Sequence, residues 1–162
     1  MLGTLTPTQV EKVLQDGVIG RIGCISEGRP YVVPVCYAYD QGCVYGHSVD
    51  GAKLRAFRDN PLVCFEVEAV DDLSNWRSVV SWGTAEELHG SDADRGMRLL
   101  IEQVMPRLPV ASVSAHPDAR VGHLAASVYR ITIQESTGRF ESTDAGPQSP
   151  GVSFVGDPSV TP

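Results

Sequence analysis

GRIGCISEGRPYVVPVCYAYDQGCVYGHS, residues 20–48, decides the fold. Three apolar runs rich in Val, Ile, Cys and Tyr are separated by two turn signals. VIGRIGCIS (18–26) reads as one strand, Glu27-Gly28-Arg29-Pro30 as a turn, and YVVPVCYAYD (31–40) as a second strand. Asp40-Gln41-Gly42 marks a hairpin turn, and Cys43–His47 returns as a third strand. Pro34 has no N–H to give to a ladder, so the second strand must lie at a sheet edge or carry a bulge. Tyr37 and Tyr39 alternate onto one face. That is ordinary packing for a barrel wall unless the face opens to a ligand.

Working outward, TPTQVEKVLQDG (6–17) reads as a helix. Thr6 suits the N-cap, Pro7 the first helical position and Gln9 the far side of a capping box. Val10, Val13 and Leu14 form its apolar stripe, and Gly17 ends it. Downstream, DGAKLRAFRDNP (50–61) reads as a short helix, with Asp50 as its cap and Asn60-Pro61 as its stop. LVCFEVEAV (62–70) is a strand, DDLSN a polar loop, and WRSVVSWGTAEELH (76–89) a long strand with Gly83 as a bulge. Residues 92–108 read as a helix, with Met97, Leu100, Ile101 and Val104 at helical spacing. Residues 127–141 read as the last strand, and 109–126 have no assignment. Six or so strands, mostly hairpin-connected, with helices between them, predict a mainly β fold with peripheral helices: a six-stranded antiparallel barrel. Residues 1–141 form one domain in this reading. Residues 142–162, rich in Ser, Thr, Pro and Gly, form a tail or arm.

The bulk chemistry narrows the function. A chain of 162 residues, 42% hydrophobic and 20% charged, suits a single globular core. A net charge of −7 disfavours a general nucleic-acid or anionic-membrane binder, while leaving room for a local basic pocket. Residues 1–16 lack both an apolar core and a basic leader, so no secretory signal is expected, nor does any run approach a membrane span. Cys24, Cys36, Cys43 and Cys64 form no CxxC pair and sit in strand-like runs. Buried free thiols and a reducing, cytoplasmic setting are expected.

Lys53 is the residue out of place. It falls at about the third position of its helix, where the backbone is partially positive and an acid would be favoured. An anion at that helix start removes the difficulty: free N–H groups and Lys53 would face it, and Ser48 could add a hydroxyl. The competing reading is a solvated lysine paired with Asp50 or another surface acid. His47, at a strand end, suits a ligand contact or a proton donor as well as a purely structural role. Trp76 could stack on a planar ligand, and Arg77 could bind an anion or a ring carbonyl. His89, His116 and His123 form no HxxxH or HExxH pattern, so no metal site is expected. No GxSxG or GxGxxG is present.

Four segments occur in order: P-x-V-x-P-V-x-Y-A-Y (30–39), V-Y-x-H-S (44–48), G-x-K-L (51–54) and R-x-N-P-x-V-C-F-E (58–66). With WRSVVSWGTAEEL (76–88), they resemble the FMN-binding split β-barrel family related to pyridoxamine 5′-phosphate oxidase, with its nitroimidazole-reductase-like branch nearest. The resemblance spans roughly residues 5–140. It implies a split barrel, FMN as cofactor, and a homodimer with FMN at the subunit interface. By motif match, His47, Ser48, Lys53 and Leu54 lie at the phosphate turn. Val33, Pro34, Val35 and Cys36 run along the isoalloxazine ring, and Trp76, Arg77, Ser78 and Val79 reach the flavin from a neighbouring strand.

The resemblance also implies an NAD(P)H-dependent oxidoreductase acting on a small acceptor such as a nitroaromatic or quinone; the candidate catalytic proton donor, from its residue chemistry, is His47. Two other readings stay open. One is a non-enzymatic flavin or haem binder, with His47, His116 or His123 as an axial ligand; the other is a deazaflavin-dependent reductase. Tyr31 and Cys36 stand where the oxidases carry a basic pair on the second strand. The C-terminal Trp and Arg-x-His elements that bind the vitamin substrate are absent from 127–162. Pyridoxamine-phosphate oxidation itself is therefore not expected.

Overall fold

The computed structural model describes residues 1–49, 51–108 and 127–143. The chain runs β1 (Leu2–Thr4), α1 (Pro7–Asp16), β2 (Ile19–Ser26), β3 (Arg29–Cys36), β4 (Ala38–Asp40), β5 (Cys43–Ser48) and α2 (Ala52–Asp59). It continues through β6 (Leu62–Asp72), β7 (Asn75–Leu88), α3 (Gly90–Val104) with a 3-10 turn at Met105–Arg107, and β8 (Ser127–Glu141). One antiparallel sheet has the order β3-β2-β6-β7-β8-β5-β4, with β1 added on β8. β4 follows β3 in the chain, so the two ends of the sheet meet at Tyr37. No ladder joins β3 to β5 among the described residues, and the barrel stays split there.

Pro34 does sit on an edge strand, opposite Arg21. The expected strand at 31–40 is two strands. Tyr37 breaks it by giving its N–H to Val18 O at 3.0 Å and its hydroxyl to Leu14 O at 2.8 Å. Its ring meets Phe65 edge-on at 4.8 Å. The hairpin register pairs Ala38 with Tyr45. Continued, it would set Cys36 against His47; instead β3 swings away to β2, and the seam opens.

The capping box of α1 forms as expected, with Gln9 N–H donating to Thr6 Oγ1 and Thr6 N–H to Gln9 Oε1. Val10, Val13 and Leu14 are buried against the barrel end, each worth about 1.5–3 kcal/mol when fully covered. The main core fills the barrel with Ile22, Phe65, Val67, Val79, Tyr129 and Ile131. A second cluster under α3 joins Tyr45, Leu88, Leu100, Val104 and Val128.

Several sequence expectations change. The polar loop 71–75 is a tight turn at Leu73–Ser74 between two long strands. The irregularity at Gly83 is real, but the extra residue is Gln134 on β8: Trp82 pairs with Glu135 and Gly83 with Ile133. Gly83 is needed because a Cβ there would run into the Thr132 carbonyl. Helix α3 starts at Gly90 and buries Gly96, Leu100 and Val104, so Ile101, one step off that stripe, is 52% exposed. Of the four thiols only Cys24 is buried; Cys36 is exposed because it lies on the outer side of the edge strand. The unassigned segment 109–126 and the tail from 144 lie outside the described residues.

Candidate functional site

The open seam is bounded by β3 on one side and by the end of β5 and the start of α2 on the other. Gly51 is the N-cap of α2 and makes no side-chain capping bond. Asp50, expected to cap, lies outside the described residues. With Gly51 as cap, Lys53 is the second helical residue rather than the third. Among the described residues, the N-terminal N–H groups of the turn have no side-chain cap, and they lie beside a cation.

Lys53 is half-buried. Its Nζ sits 5.0 Å from the centroid of the Tyr129 ring, over its face. Burial lowers its pKa from the ordinary 10.5, and among the described residues the Cys24 thiol acts weakly in the opposite sense. No carboxylate is placed as its counter-ion among the described residues. Water has been partly removed from this ammonium, and no acid among the described residues compensates it.

Tyr129 forms the floor under Lys53. It is fully buried, its ring is held edge-on by Phe57 at 5.5 Å, and its hydroxyl has no hydrogen-bond partner among the described residues. Burial raises its pKa, and the nearby Cys36 thiol adds to the rise. Gly46, its partner in the β5–β8 ladder, lets the ring lie flat, since a Cβ at 46 would collide with the phenol. Neither Tyr129 nor Gly46 stands out in the sequence: one is an aromatic in a strand, the other a glycine inside a strand run.

The expected phosphate-turn residues converge here. Ser48 ends β5, and its hydroxyl donates to Val49 O at 2.9 Å, closing the turn. His47 is half-buried at the same strand end, opposite Val128. Leu54 is fully buried, so its side chain belongs to the core and only its backbone faces the turn. On β3, Val35 and the half-buried Val33 face the barrel, whereas Pro34 and Cys36 point out.

The segment 76–79 is elsewhere. Trp76 Nε1–H donates to Glu141 Oε2 at 3.1 Å, Arg77 pairs with Asp71 at 3.0 Å, Ser78 Oγ donates to Glu66 Oε1 at 3.2 Å, and Val79 is buried. Gly23 pairs with Cys64 and Ala69 with Arg77. Six residues of β6 thus separate the Cys24 level from Arg77, about 20 Å at the usual strand rise. Within one chain, the lysine turn and Arg77 do not meet.

A cleft of about 670 Å³ lies between α1, the start of β2 and the 3-10 turn, and includes Cys36, Ala69, Arg77 and Arg107. Arg107 gives an N–H to Asp16 O at 2.8 Å there and so caps the end of α1. No helix among the described residues is long and apolar enough to cross a membrane.

A split antiparallel barrel with a half-buried lysine at a helix start, beside an open seam and an edge strand, is an arrangement suited to an anionic ligand. The chain belongs to the family described as pyridoxamine 5′-phosphate oxidase, whose model matches residues 6–140. A FAD-binding protein of Mesorhizobium loti is 31% identical, with a TM-score of 0.69 over 88% of this chain and 99% of that one. A protein assigned to 5-nitroimidazole antibiotic resistance in Bacteroides thetaiotaomicron is 18% identical, with a TM-score of 0.65 over 86% of this chain and 89% of that one. An uncharacterised protein of Rhizobium meliloti (strain 1021) is 25% identical over 135 residues, covering 81% of this chain and 89% of that one.

Proposed function

We propose that this protein binds a flavin, FMN in the first instance, and uses it as an NAD(P)H-dependent oxidoreductase toward a small acceptor such as a nitroaromatic or quinone. The observation that carries the reading is Lys53: a half-buried ammonium with no carboxylate counter-ion among the described residues, at an uncapped helix start. Those groups suit a phosphate monoester, which brings the missing negative charge to the N–H groups and the lysine together.

In this reading Lys53, Ser48 and the 48–53 turn hold the phosphate, and the Val33–Cys36 backbone flanks the ring. Flavin, when bound, supplies the two-electron chemistry, and the protein supplies binding and orientation. His47, at the lip of the same seam, is the residue placed to hold a proton for the acceptor.

The remaining elements point to a homodimer. The outward face of β3, β2, β6 and β7 carries Val32, Ile19, Ile25, Leu62, Val70 and Trp82 exposed. Arg21 is ion-paired with Glu66 and Glu68 at its centre, each at 3.0 Å. An outward face with exposed apolar groups on both sides of such an ion-paired centre is what a subunit interface covers. A second copy seated on it would also account for Trp76–Val79, which lie too far along the barrel to serve the lysine turn of their own chain.

The test is to release and identify the chromophore of the purified protein by chromatography. FMN supports the reading in full. FAD, as named for the Mesorhizobium loti relative, keeps the flavin and corrects the cofactor. Haem or a deazaflavin overturns it. Oxidation of NAD(P)H with a nitroaromatic acceptor then tests the activity.

A further inference from the structure

We infer that Tyr129 is a positioning residue for anion binding: its ring holds the Lys53 ammonium in the seam both before and after an anion binds. The inference rests on the phosphate reading above and deepens it. A half-buried ammonium with no carboxylate partner among the described residues would normally swing out to water, at little cost for so flexible a side chain. Here Nζ stays 5.0 Å from the centre of a ring face, the geometry of a cation–π contact.

The ring itself cannot move. It is fully buried, wedged edge-on by Phe57 at 5.5 Å, and laid against Gly46, where any side chain would displace it. With the ring on one side of it, the ammonium can offer its N–H groups to an anion on the other. A carboxylate in the ring's place would neutralise the lysine and compete with the ligand. A π face holds it without spending its charge. The hydroxyl takes no part, since it donates to nothing among the described residues. The ring and the hydroxyl can therefore be separated by substitution.

The experiment compares Tyr129→Phe and Tyr129→Leu in the full chain. FMN affinity is read by quenching of flavin fluorescence, and the Lys53 ε-methylene by NMR. In the parent protein that methylene is expected to resonate upfield, shifted by the ring current of Tyr129, and to stay upfield when FMN binds. Tyr129→Phe is expected to keep both the upfield shift and the affinity. Tyr129→Leu is expected to lose the shift and to bind FMN about fivefold more weakly.

Three results overturn the inference: Tyr129→Leu binding as tightly as the parent, Tyr129→Phe binding as weakly as Tyr129→Leu, or a shift that disappears on FMN addition to the parent. Should Tyr129→Leu fail to fold, Tyr129→Phe and the parent titration still decide the matter. Lys53→Met separates this inference from the reading beneath it. If Lys53→Met binds FMN unchanged, the phosphate reading fails; if Lys53→Met weakens binding and Tyr129→Leu does not, only the role of Tyr129 fails.

Discussion

Lys53→Met should leave the protein as stable as before and weaken flavin binding strongly. Met keeps most of the stem, so packing beside Leu54 and over Tyr129 is conserved. What disappears is a charge that burial penalises and no acid among the described residues compensates. The lost ring contact and the relieved desolvation oppose each other, so the stability change should stay within about 1 kcal/mol. A charge-assisted hydrogen bond to phosphate is worth about 1.5–3 kcal/mol, so FMN affinity should fall roughly 10- to 150-fold.

The pH dependence carries a sign. The folded-state pKa of Lys53 lies below its unfolded value near 10.5, so between the two the unfolded chain binds more protons. The lysine therefore costs stability below its folded pKa, and that cost is relieved as pH rises toward 10.5. Lys53→Met should lack this relief and show a flatter stability profile above neutrality. Urea unfolding across that range, with FMN titration at neutral pH, reads both effects. Unchanged FMN affinity in a folded Lys53→Met protein would refute the reasoning. So would a large loss of stability without a loss of affinity.

Other substitutions test the frame around the site. Gly83→Ala drives a Cβ into the Thr132 carbonyl and should cost 3 kcal/mol or more, on the order of the largest single-residue effects. Gly28→Ala, at φ +74 with open space around it, should cost only about 1 kcal/mol, and thermal unfolding compares the two. Thr6→Ala removes one half of the capping box of α1 and should lower stability by about 1 kcal/mol in the same assay. Trp82→Arg places a charge on the outward face beside Cys64 and should shift a dimer to monomers by light scattering, with the circular dichroism of the barrel retained. A dimer unmoved by Trp82→Arg would place the subunit interface elsewhere.

Much of the frame was legible because local chemistry fixed it. Thr6 and Gln9 announce a helix start by themselves, and Pro34 restricts its strand to an edge whatever the partner. The break at Tyr37 was hidden, since the apolar pattern runs straight through it. The bonds that end the strand go to Val18 and Leu14, which no local window relates to Tyr37. β1 has three residues and no alternation to read; it exists because β8 offers it an edge.

The site divides the same way. Lys53 was conspicuous because its charge conflicts with its helix position, a conflict visible within a few residues. Tyr129 was not, because its role is a contact across the barrel between elements far apart in the chain. The motif order named 33–36, 47–48 and 53–54, and the fold sets these along the two sides of one seam. It also named 76–79, where Arg77 lies about 20 Å from the Cys24 level along β6 yet shares a cleft with Cys36.

The most direct measurement is an absorption spectrum of the purified protein, taken before and after incubation with FMN and removal of the excess. The account predicts the two-band flavin spectrum in the retained fraction of the parent protein, lost in Lys53→Met. A Soret band, or FMN washed out of the parent protein as completely as out of Lys53→Met, would contradict it.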